Sequence, residues 1–263
     1  MKVLLVVNEK GGVGKTTVTF NTAFELAQQG YSVLMIDLDP QRANLSFMAG
    51  LNNVKDKVTM YDVLVNRVRM KDAILVVADN LDMVVSTLSI ADISTDNSNL
   101  NRFKMALNEI RPYYDYCFID VPPSPLPGQA HVYAVGSADY IVPVMDSDIM
   151  NVEALKGLSE TIHAAKEKVN PNVKVLGVLI NKYNWRTNLS KQVVKRAEKI
   201  AASLDTVVLK TKIRNNVSIA EAVGANVGIT AYDPRSNVAE DIKKLTKELL
   251  ERMAYYEQGA ATK

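Results

Sequence analysis

The residues best suited to chemistry in this 263-residue chain lie in one glycine-rich segment near its start. The segment reads Asn8-Glu9-Lys10-Gly11-Gly12-Val13-Gly14-Lys15-Thr16-Thr17. Glycine allows a tight backbone turn whose amide N–H groups approach an anion closely. A lysine in such a turn binds the outer phosphates, and a threonine hydroxyl ligates Mg²⁺. The segment therefore predicts a phosphate-binding loop with Lys15 and Thr16 in these roles. The alternative is a glycine-rich turn that binds nothing.

A strand and a helix must position this loop, and the sequence predicts both. The apolar run 3–7 is typical of a buried strand, and the periodic run 18–29 is typical of an amphipathic helix. A helix that begins at the loop directs the positive end of its dipole toward a bound phosphate. The residues predicted to surround the phosphates here are Gly11, Gly12, Val13, Gly14, Lys15, Thr16 and Thr17.

Three aspartates follow two further apolar runs, at points where strands would end. The run 31–36 leads into Asp37-Leu38-Asp39-Pro40-Gln41, and the run 116–119 leads into Asp120. Because open α/β sheets bind ligands at the carboxyl ends of their strands, we expect these carboxylates near the phosphates. A carboxylate there can hold Mg²⁺ through its water shell, which makes Asp120 a metal candidate. The alternatives are a polar turn at Asp37 and Asp39, and an unrelated strand-end aspartate at Asp120.

The glycine-rich segment resembles the deviant Walker A motif of the ParA/MinD family of ATPases. The ordinary phosphate loop would have glycine at position 9, where this chain has Glu9, and would require nothing at position 10. In the family, the matching early lysine reaches the nucleotide of a partner subunit. The resemblance therefore implies that Lys10 acts in trans within an ATP-dependent homodimer. The alternative is a solvated lysine beside a phosphate site.

The resemblance continues at the strand ends, and it implies ATP and Mg²⁺ as cofactors. The segment from Asp37 to Gln41 is similar to the family's D-x-D-P-Q, which implies that Asp39 orients the attacking water and that Asp37 supports the Mg²⁺ shell. The segment after Asp120 is similar to the family's version of this strand end, and its prolines through Pro127 imply a switch loop that responds to the γ-phosphate. The implied catalytic residues are Lys10, Lys15 and Asp39, and the implied metal residues are Thr16, Asp37 and Asp120.

A strand-like run at 173–180 is followed by Asn181 and Lys182. In the family an asparagine at this place contacts adenine, and an amide can both donate to and accept from a base edge. The resemblance thus implies that Asn181 binds the base. The alternative is an ordinary strand-end cap.

A strongly basic segment runs from position 182 to position 214. It contains nine basic and two acidic residues, which gives a formal charge of 9 − 2 = +7. A helix predicted at 190–204 would bury Val193 and Ala197 and carry lysines at i, i+4 and i+8 on the opposite face. A stripe of one sign suits the phosphate backbone of DNA and carries no base-reading content, although solvated charged faces are common. The predicted DNA contacts are Lys191, Lys195, Arg196, Lys199 and Arg214.

The resemblance strengthens the DNA hypothesis. ParA proteins that lack an N-terminal helix-turn-helix bind DNA non-specifically as ATP dimers, through basic residues of this region. The segment Ile213-Arg214-Asn215 resembles the family's I-P-R-N, with Ile213 in place of the proline. A ParB-type centromere-binding partner that stimulates hydrolysis is implied as well. Overall, the resemblance implies a partition ATPase for plasmid or chromosomal DNA.

Composition fits one α/β domain over residues 1–263. Strand-like runs alternate with helix-like patterns and no linker interrupts them, so we predict a doubly wound, mostly parallel sheet with helices on both faces. A hydrophobic content of 48% supplies a buried core. Further strands are predicted at 81–86 and 139–144, and further helices at 59–65, 99–110 and 151–169.

Several classes of protein are disfavoured by composition. A single cysteine, Cys117, excludes a disulfide framework and a cysteine-ligated cluster within one chain, and we predict that it is a core residue. This argues against the nitrogenase iron-protein branch of the same superfamily. The net charge of +2 gives no reason by itself to invoke DNA.

We expect a cytoplasmic, nucleoid-associated protein with no membrane partner. The apolar start is too short for a signal peptide, and no apolar run approaches the roughly 20 residues that span a bilayer. The end of the chain also lacks the basic face and bulky apolar residues of a membrane-surface helix. Two rival functions stay open: a MinD-like membrane-positioning ATPase, and a nucleotide-gated switch that acts mainly by dimerising.

Overall fold

The computed structural model describes residues 1–40, 44–93, 97–123 and 129–261. The strands within these residues are β1 (Lys2–Val7), β2 (Val33–Asp37), β3 (Leu75–Ala78), β4 (Leu81–Val84), β5 (Tyr116–Asp120), β6 (Tyr140–Asp146), β7 (Lys174–Val175), β8 (Val178–Tyr183) and β9 (Val208–Arg214). The α-helices are α1 (Lys15–Gln28), α2 (Asn44–Met48), α3 (Met60–Leu64), α4 (Asn97–Ile110), α5 (Gln129–Ser137), α6 (Met150–Lys168), α7 (Asn188–Ser203), α8 (Ser218–Gly224), α9 (Ile229–Tyr232) and α10 (Asn237–Ala261). Short 3₁₀ turns cover Met70–Ala73, Leu88–Asp92 and Arg111–Tyr113.

All described strands belong to one mostly parallel sheet, which confirms the predicted fold class. The order is β3-β4-β2-β5-β1-β6-β8-β9, with β7 paired to β6. Only the β3–β4 pair among these strands is antiparallel. Strand β1 lies in the middle, between β5 and β6, so the glycine-rich segment leaves the centre of the carboxyl edge.

Helices cover both faces of the sheet, and β1 contributes to both cores. Its residues Val3, Leu5 and Val7 pack in one core with side chains from α3 to α7. Leu4 and Val6 pack in the other core with side chains from α1, α2 and α8 to α10. This alternation is what a strand buried on both faces requires, because successive side chains point to opposite sides.

The predicted single strand at 173–180 is wrong, because the chain breaks it into β7 and β8. The break lies at Leu176 and Gly177, and a Cβ at Gly177 would overlap the side chain of Leu209 on β9. The Leu209 side chain thus packs against the Gly177 backbone at the point where an apolar run with the composition of one strand is interrupted. The sequence analysis also missed β3, β9, α2, α5, α8 and α9.

Cys117 is fully buried in β5, as predicted for a core residue. Burial raises the pKa of its thiol. Among the helices that the structure describes, none combines the length with the apolar composition that a bilayer crossing requires.

Candidate nucleotide-binding site

The glycine-rich segment forms a tight turn from β1 into α1. Gly12 has φ +76° and Gly14 has φ +95°, a region that favours glycine. A Cβ at Gly14 would also overlap the side-chain amide of Asn181. Helix α1 begins at Lys15, three residues before the predicted start at position 18. The apolar pattern could not show this start, because the first three residues of the helix are polar.

Hydrogen bonds within the turn fix its shape. The Asn8 amide donates to the carbonyl of Val144 on β6 at 2.6 Å and accepts from the Lys10 amide N–H at 2.8 Å. The Lys15 ammonium donates to the carbonyl of Lys10 at 3.1 Å. Asn8 is fully buried, so its side chain links the loop to the neighbouring strand. The sequence analysis assigned no role to this residue.

Glu9 occupies the position where an ordinary phosphate loop has glycine, and it contacts helix α6. Its carboxylate accepts from the Thr161 hydroxyl at 3.3 Å. The same carboxylate lies 3.8 Å from the position of a Cβ on Gly157 of that helix. The loop therefore contacts a helix that packs in the same core as β1 and β6.

Thr16 and Asp120 meet at the carboxyl edge of the sheet, as both were predicted to do near the metal. The Thr16 hydroxyl donates to Asp120 Oδ2 at 2.7 Å. Asp120 is fully buried, and its Oδ1 has no hydrogen-bond partner among the residues that the structure describes. A buried carboxylate oxygen without a donor, next to a hydroxyl, fits the water shell of Mg²⁺.

Asp37 lies beside Asp120, since the two residues are register partners on β2 and β5. It accepts from the Asp39 amide N–H at 2.9 Å and from the Ser46 hydroxyl at 3.1 Å. Burial raises the pKa of Asp37 to about 7 and the pKa of Asp120 to about 8. The charge of Asp37 also raises the pKa of Asp120, so a cation beside the pair would favour the ionised carboxylates.

Lys15 is buried beside these carboxylates. Burial lowers the pKa of its ammonium, while the charges of Asp120 and Asp39 act in the opposite direction. Asp39 itself is only 4% exposed and lines the same cavity as Lys15. The site thus holds a cation and three carboxylates within one buried cluster.

Two adjoining cavities follow the loop. The first, of about 220 Å³, is lined by the glycines, Lys15, Thr16 and Asp39. The second, of about 340 Å³, is largely apolar and includes Asn181 and Ile213. The residues that line both are Gly14, Thr17, Met48 and Lys182. A charged cavity that opens into an apolar one suits a phosphate chain attached to a planar base.

Asn181 lies within β8 rather than after a strand, and its side chain reaches the loop. Its amide donates to the carbonyl of Val13 at 2.8 Å. The structure therefore places the predicted base contact in the apolar cavity, directly against the loop. The neighbouring Lys182 donates to the carbonyl of Gly12 at 2.6 Å, a contact that the sequence analysis missed. The Asn-Lys pair after an apolar run was the available signal.

Two kinds of predicted feature are not tested by the described residues of one chain: a contact with a partner subunit, and segments whose residues are not described. Lys10 is exposed at the surface, and its action on a partner's nucleotide stays a prediction. Residues 124–128 of the predicted switch loop, and Gln41 of the D-x-D-P-Q segment, lie outside the described residues. Pro123 is described, and it lies 3.6 Å from the position of a Cβ on Gly11.

Helix α7 carries the predicted basic face. Val193 and Ala197 are buried, as expected. The exposed basic residues of the helix are Lys191, Lys195, Arg196 and Lys199.

Arg214, the fifth predicted DNA contact, forms an ion pair within the chain, and its contact with DNA stays a prediction. Its guanidinium donates to both carboxylate oxygens of Asp241 on α10, at 2.6 and 2.8 Å. The Asp241 side chain is 7% exposed, and this bonding raises the pKa of Arg214. The structure therefore gives Arg214 a role in joining β9 to α10.

Comparisons with known proteins agree with this geometry. Residues 1–175 match the family described as an AAA domain. The sporulation initiation inhibitor protein Soj of Bacillus subtilis is 33% identical over 253 residues, covering 94% of this chain and 98% of Soj. The chromosome partitioning protein ParA of Caulobacter vibrioides is 30% identical over 259 residues, covering 96% of this chain and 95% of that protein.

A solved structure supports the same assignment. The septum site-determining protein MinD from Pyrococcus horikoshii, complexed with Mg-ADP, matches with a TM-score of 0.75 and 25% identity, covering 94% of this chain and 95% of that one. Nucleotide and Mg²⁺ binding is therefore represented among the similar structures. The matches, the fold and the loop lead to one conclusion: the chain belongs to the ParA/MinD family of ATPases.

Proposed function

We propose that this protein is a ParA-like partition ATPase that binds ATP at the glycine-rich turn and dimerises around it. The observation that carries the proposal is the buried contact between Thr16 and Asp120 beside Lys15 and Asp39. A cation, a hydroxyl and carboxylates at the end of a phosphate-binding turn are the parts that phosphoryl transfer to water needs.

Each group has a role that follows from its place. The loop N–H groups and Lys15 bind the phosphates, and the apolar cavity with Asn181 binds the base. Asp39 orients the attacking water at the outer phosphate. Mg²⁺, held through Thr16 and Asp120 with Asp37 behind them, would neutralise charge on the phosphate oxygens. Positioning and charge neutralisation supply most of the catalysis in this chemistry.

Dimerisation is the step that makes Lys10 useful. Its exposed position suits a contact with the nucleotide of a second copy. We expect the native chain to become a dimer in light scattering with a slowly hydrolysed ATP analogue. Lys10→Ala should remain monomeric with the analogue, whereas Lys71→Ala, an exposed lysine before β3, should dimerise as the native chain does. A native chain that stays monomeric at saturating analogue would refute the proposal.

Hydrolysis is tested through Asp39. We expect Asp39→Ala to bind ATP and dimerise but to lose at least about 100-fold in turnover, because the attacking water loses its orienting group. The trapped dimers should stay on DNA and block segregation in cells. Normal segregation by this variant would instead support the rival in which dimerisation alone is the function.

DNA and a partner protein complete the proposal. The four exposed basic residues of α7 would hold DNA non-specifically as part of a composite surface in the dimer, which would place the protein on the nucleoid. A centromere-binding partner of the ParB type would stimulate turnover.

The MinD-like rival is tested by sedimentation with anionic lipid vesicles and ATP: recovery of the protein with the vesicles would favour membrane positioning over partition.

A further inference from the structure

Two consecutive residues of β8 donate to two consecutive carbonyls of the glycine-rich turn. The Asn181 amide donates to Val13 O at 2.8 Å, and the Lys182 ammonium donates to Gly12 O at 2.6 Å. In a regular strand, successive side chains point to opposite faces of the sheet. Neighbouring residues of such a strand therefore could not both reach the same turn.

The backbone at Lys182 removes this obstacle. Lys182 has φ +49°, a left-handed conformation that is uncommon for residues other than glycine. The pairing register of β8 with β9 shifts between Ile180 and Tyr183, at the same point. The Ser147 hydroxyl donates to the carbonyl of Lys182 at 3.1 Å and so supports this conformation. A local irregularity of this kind redirects a side chain.

The two contacts determine where the loop N–H groups point. A peptide unit is planar and trans, so its carbonyl oxygen and its N–H point in opposite directions. Holding the carbonyls of Gly12 and Val13 toward β8 therefore turns the N–H groups of Val13 and Gly14 away from β8. These are backbone donors of the turn that would receive the phosphates.

We propose that Lys182 is a positioning residue for nucleotide binding, which acts with Asn181 by fixing the peptide units of the phosphate-binding turn. The inference rests on the nucleotide binding proposed above. Lys182 lines both cavities, so it joins the wall of the base cavity to the turn around the phosphates. Lys182 acts through its hydrogen bond to the carbonyl of Gly12. This role does not require a direct contact between the Lys182 ammonium and the phosphates.

Lys182→Met removes the ammonium and keeps the length of the side chain. We expect ADP binding, measured by titration calorimetry, to weaken about 5- to 20-fold, because a charge-assisted hydrogen bond to the turn is lost. Lys182→Arg should recover most of the affinity. The matched control is Lys174→Met, an exposed lysine on β7 at the other end of the sheet, which should bind ADP as the native chain does.

A second measurement separates this inference from the proposed function. In the nucleotide-free protein, Lys182→Met should speed hydrogen exchange of the amides of residues 12–14, because the turn is no longer held. Unchanged exchange together with native ADP affinity would overturn the inference. If the native chain bound no nucleotide but the variant changed exchange, the proposed function would fail, while the contact by which Lys182 holds the turn would be supported.

Lys182→Gly controls for misfolding, because glycine adopts the same backbone conformation without strain. We expect its melting temperature to be equal to or higher than that of the native chain, with the same loss of ADP affinity. Native ADP affinity in this variant would overturn the inference, since it would show that the backbone shape suffices without the ammonium.

Discussion

At the scale of single residues, the site is defined by carboxylates that the fold buries. Burial raises the pKa of Asp37 to about 7 and of Asp120 to about 8, against about 4 in an unfolded chain. Between these values the folded chain binds more protons than the unfolded chain. The free energy of unfolding should therefore fall as pH rises from about 4 to about 8. Below about pH 4 both carboxyls are protonated in the folded and the unfolded chain, so their ionisation does not destabilise the fold. Above about pH 8 both are ionised in the folded chain, and the loss of stability is complete.

The pH dependence gives a prediction for Asp120. Asp120→Asn removes one of the two titrations, so we expect the nucleotide-free variant to be more stable than the native chain at pH 8.5 by about 1 to 3 kcal/mol. Urea unfolding at several pH values measures this difference. The matched control is Asp56→Asn in an exposed loop, which should leave the curve as it is. An equal slope in native chain and Asp120→Asn would contradict the prediction.

Mg²⁺ should lower the raised pKa of Asp120 in the nucleotide complex. A cation near Asp120 favours the carboxylate, so loading the site with Mg²⁺ and ADP near pH 7 should release protons. Calorimetry in buffers of different ionisation enthalpy measures this release, and Asp120→Asn should reduce it. A heat that does not vary with the buffer would contradict the expectation.

The sequence predicted the residues that would contact phosphate or Mg²⁺ directly, and it did not predict the residues that hold the turn in place. Lys15, Thr16 and Asp120 belong to types and spacings that phosphate and Mg²⁺ binding require, and the structure brings them together. Asn8 and Lys182 support the turn through contacts with distant segments. The Asn-Lys pair after an apolar run marks a strand end at Lys182, but neither its partner in the turn nor the partner of Asn8 can be read from the local sequence. Supporting residues therefore needed the folded chain.

At the scale of elements, the helices and strands with strong periodicity were predicted to within a few residues. Helix α6 was expected at 151–169 and covers Met150–Lys168. The failures occurred where packing overrides an apolar run, as at Gly177, where an element is short, as in α9, or where polar residues interrupt the apolar pattern, as in β9. Short elements have too few residues for a period to be visible, and their form depends on neighbours in space.

The ion pair between β9 and α10 gives a prediction at this scale. Arg214 donates two hydrogen bonds to the nearly buried Asp241, and the Arg214 amide N–H donates to the same carboxylate at 3.2 Å. Asp241→Ala should therefore lower the free energy of unfolding by about 1 to 3 kcal/mol. Chemical unfolding measures the change.

A double-mutant cycle separates this pair from ordinary surface charge. We expect Arg214→Met and Asp241→Asn to show a coupling energy of about 1 kcal/mol or more. The control pair is Lys247 and Glu251 on α10, whose nitrogen and oxygen lie 3.9 Å apart with both side chains well exposed. Coupling there should be below about 0.5 kcal/mol. Equal couplings in the two pairs would contradict the structural role of Arg214.

At the scale of the whole molecule, charge is arranged unevenly although the total is small. A net charge of +2 includes an exposed basic face on α7. Reversing Lys195 and Lys199 to Glu should abolish retention of DNA while ATP-dependent dimers still form. Arg214 is left native in this variant, because its replacement by Glu would place two carboxylates together.

The DNA prediction is checked by binding to duplexes of unrelated sequence over a range of salt. Native binding should weaken steeply as salt rises, with a slope of about 0.9 per phosphate contact. The control variant reverses Lys55 and Lys57, which are exposed in a loop and give the same change in net charge. Equal loss of DNA binding in both variants would show that total charge, rather than the α7 face, is responsible.

The position of β1 determines how destabilising substitutions in remote helices would affect the nucleotide-binding turn. This strand belongs to both cores and continues directly into the turn at Asn8. Lesions in α4 and in α10, on opposite layers, should therefore cause one shared defect on warming: escape of the bound nucleotide before the chain as a whole melts. Heat-sensitive alleles mapped to remote helices would then form a single functional class.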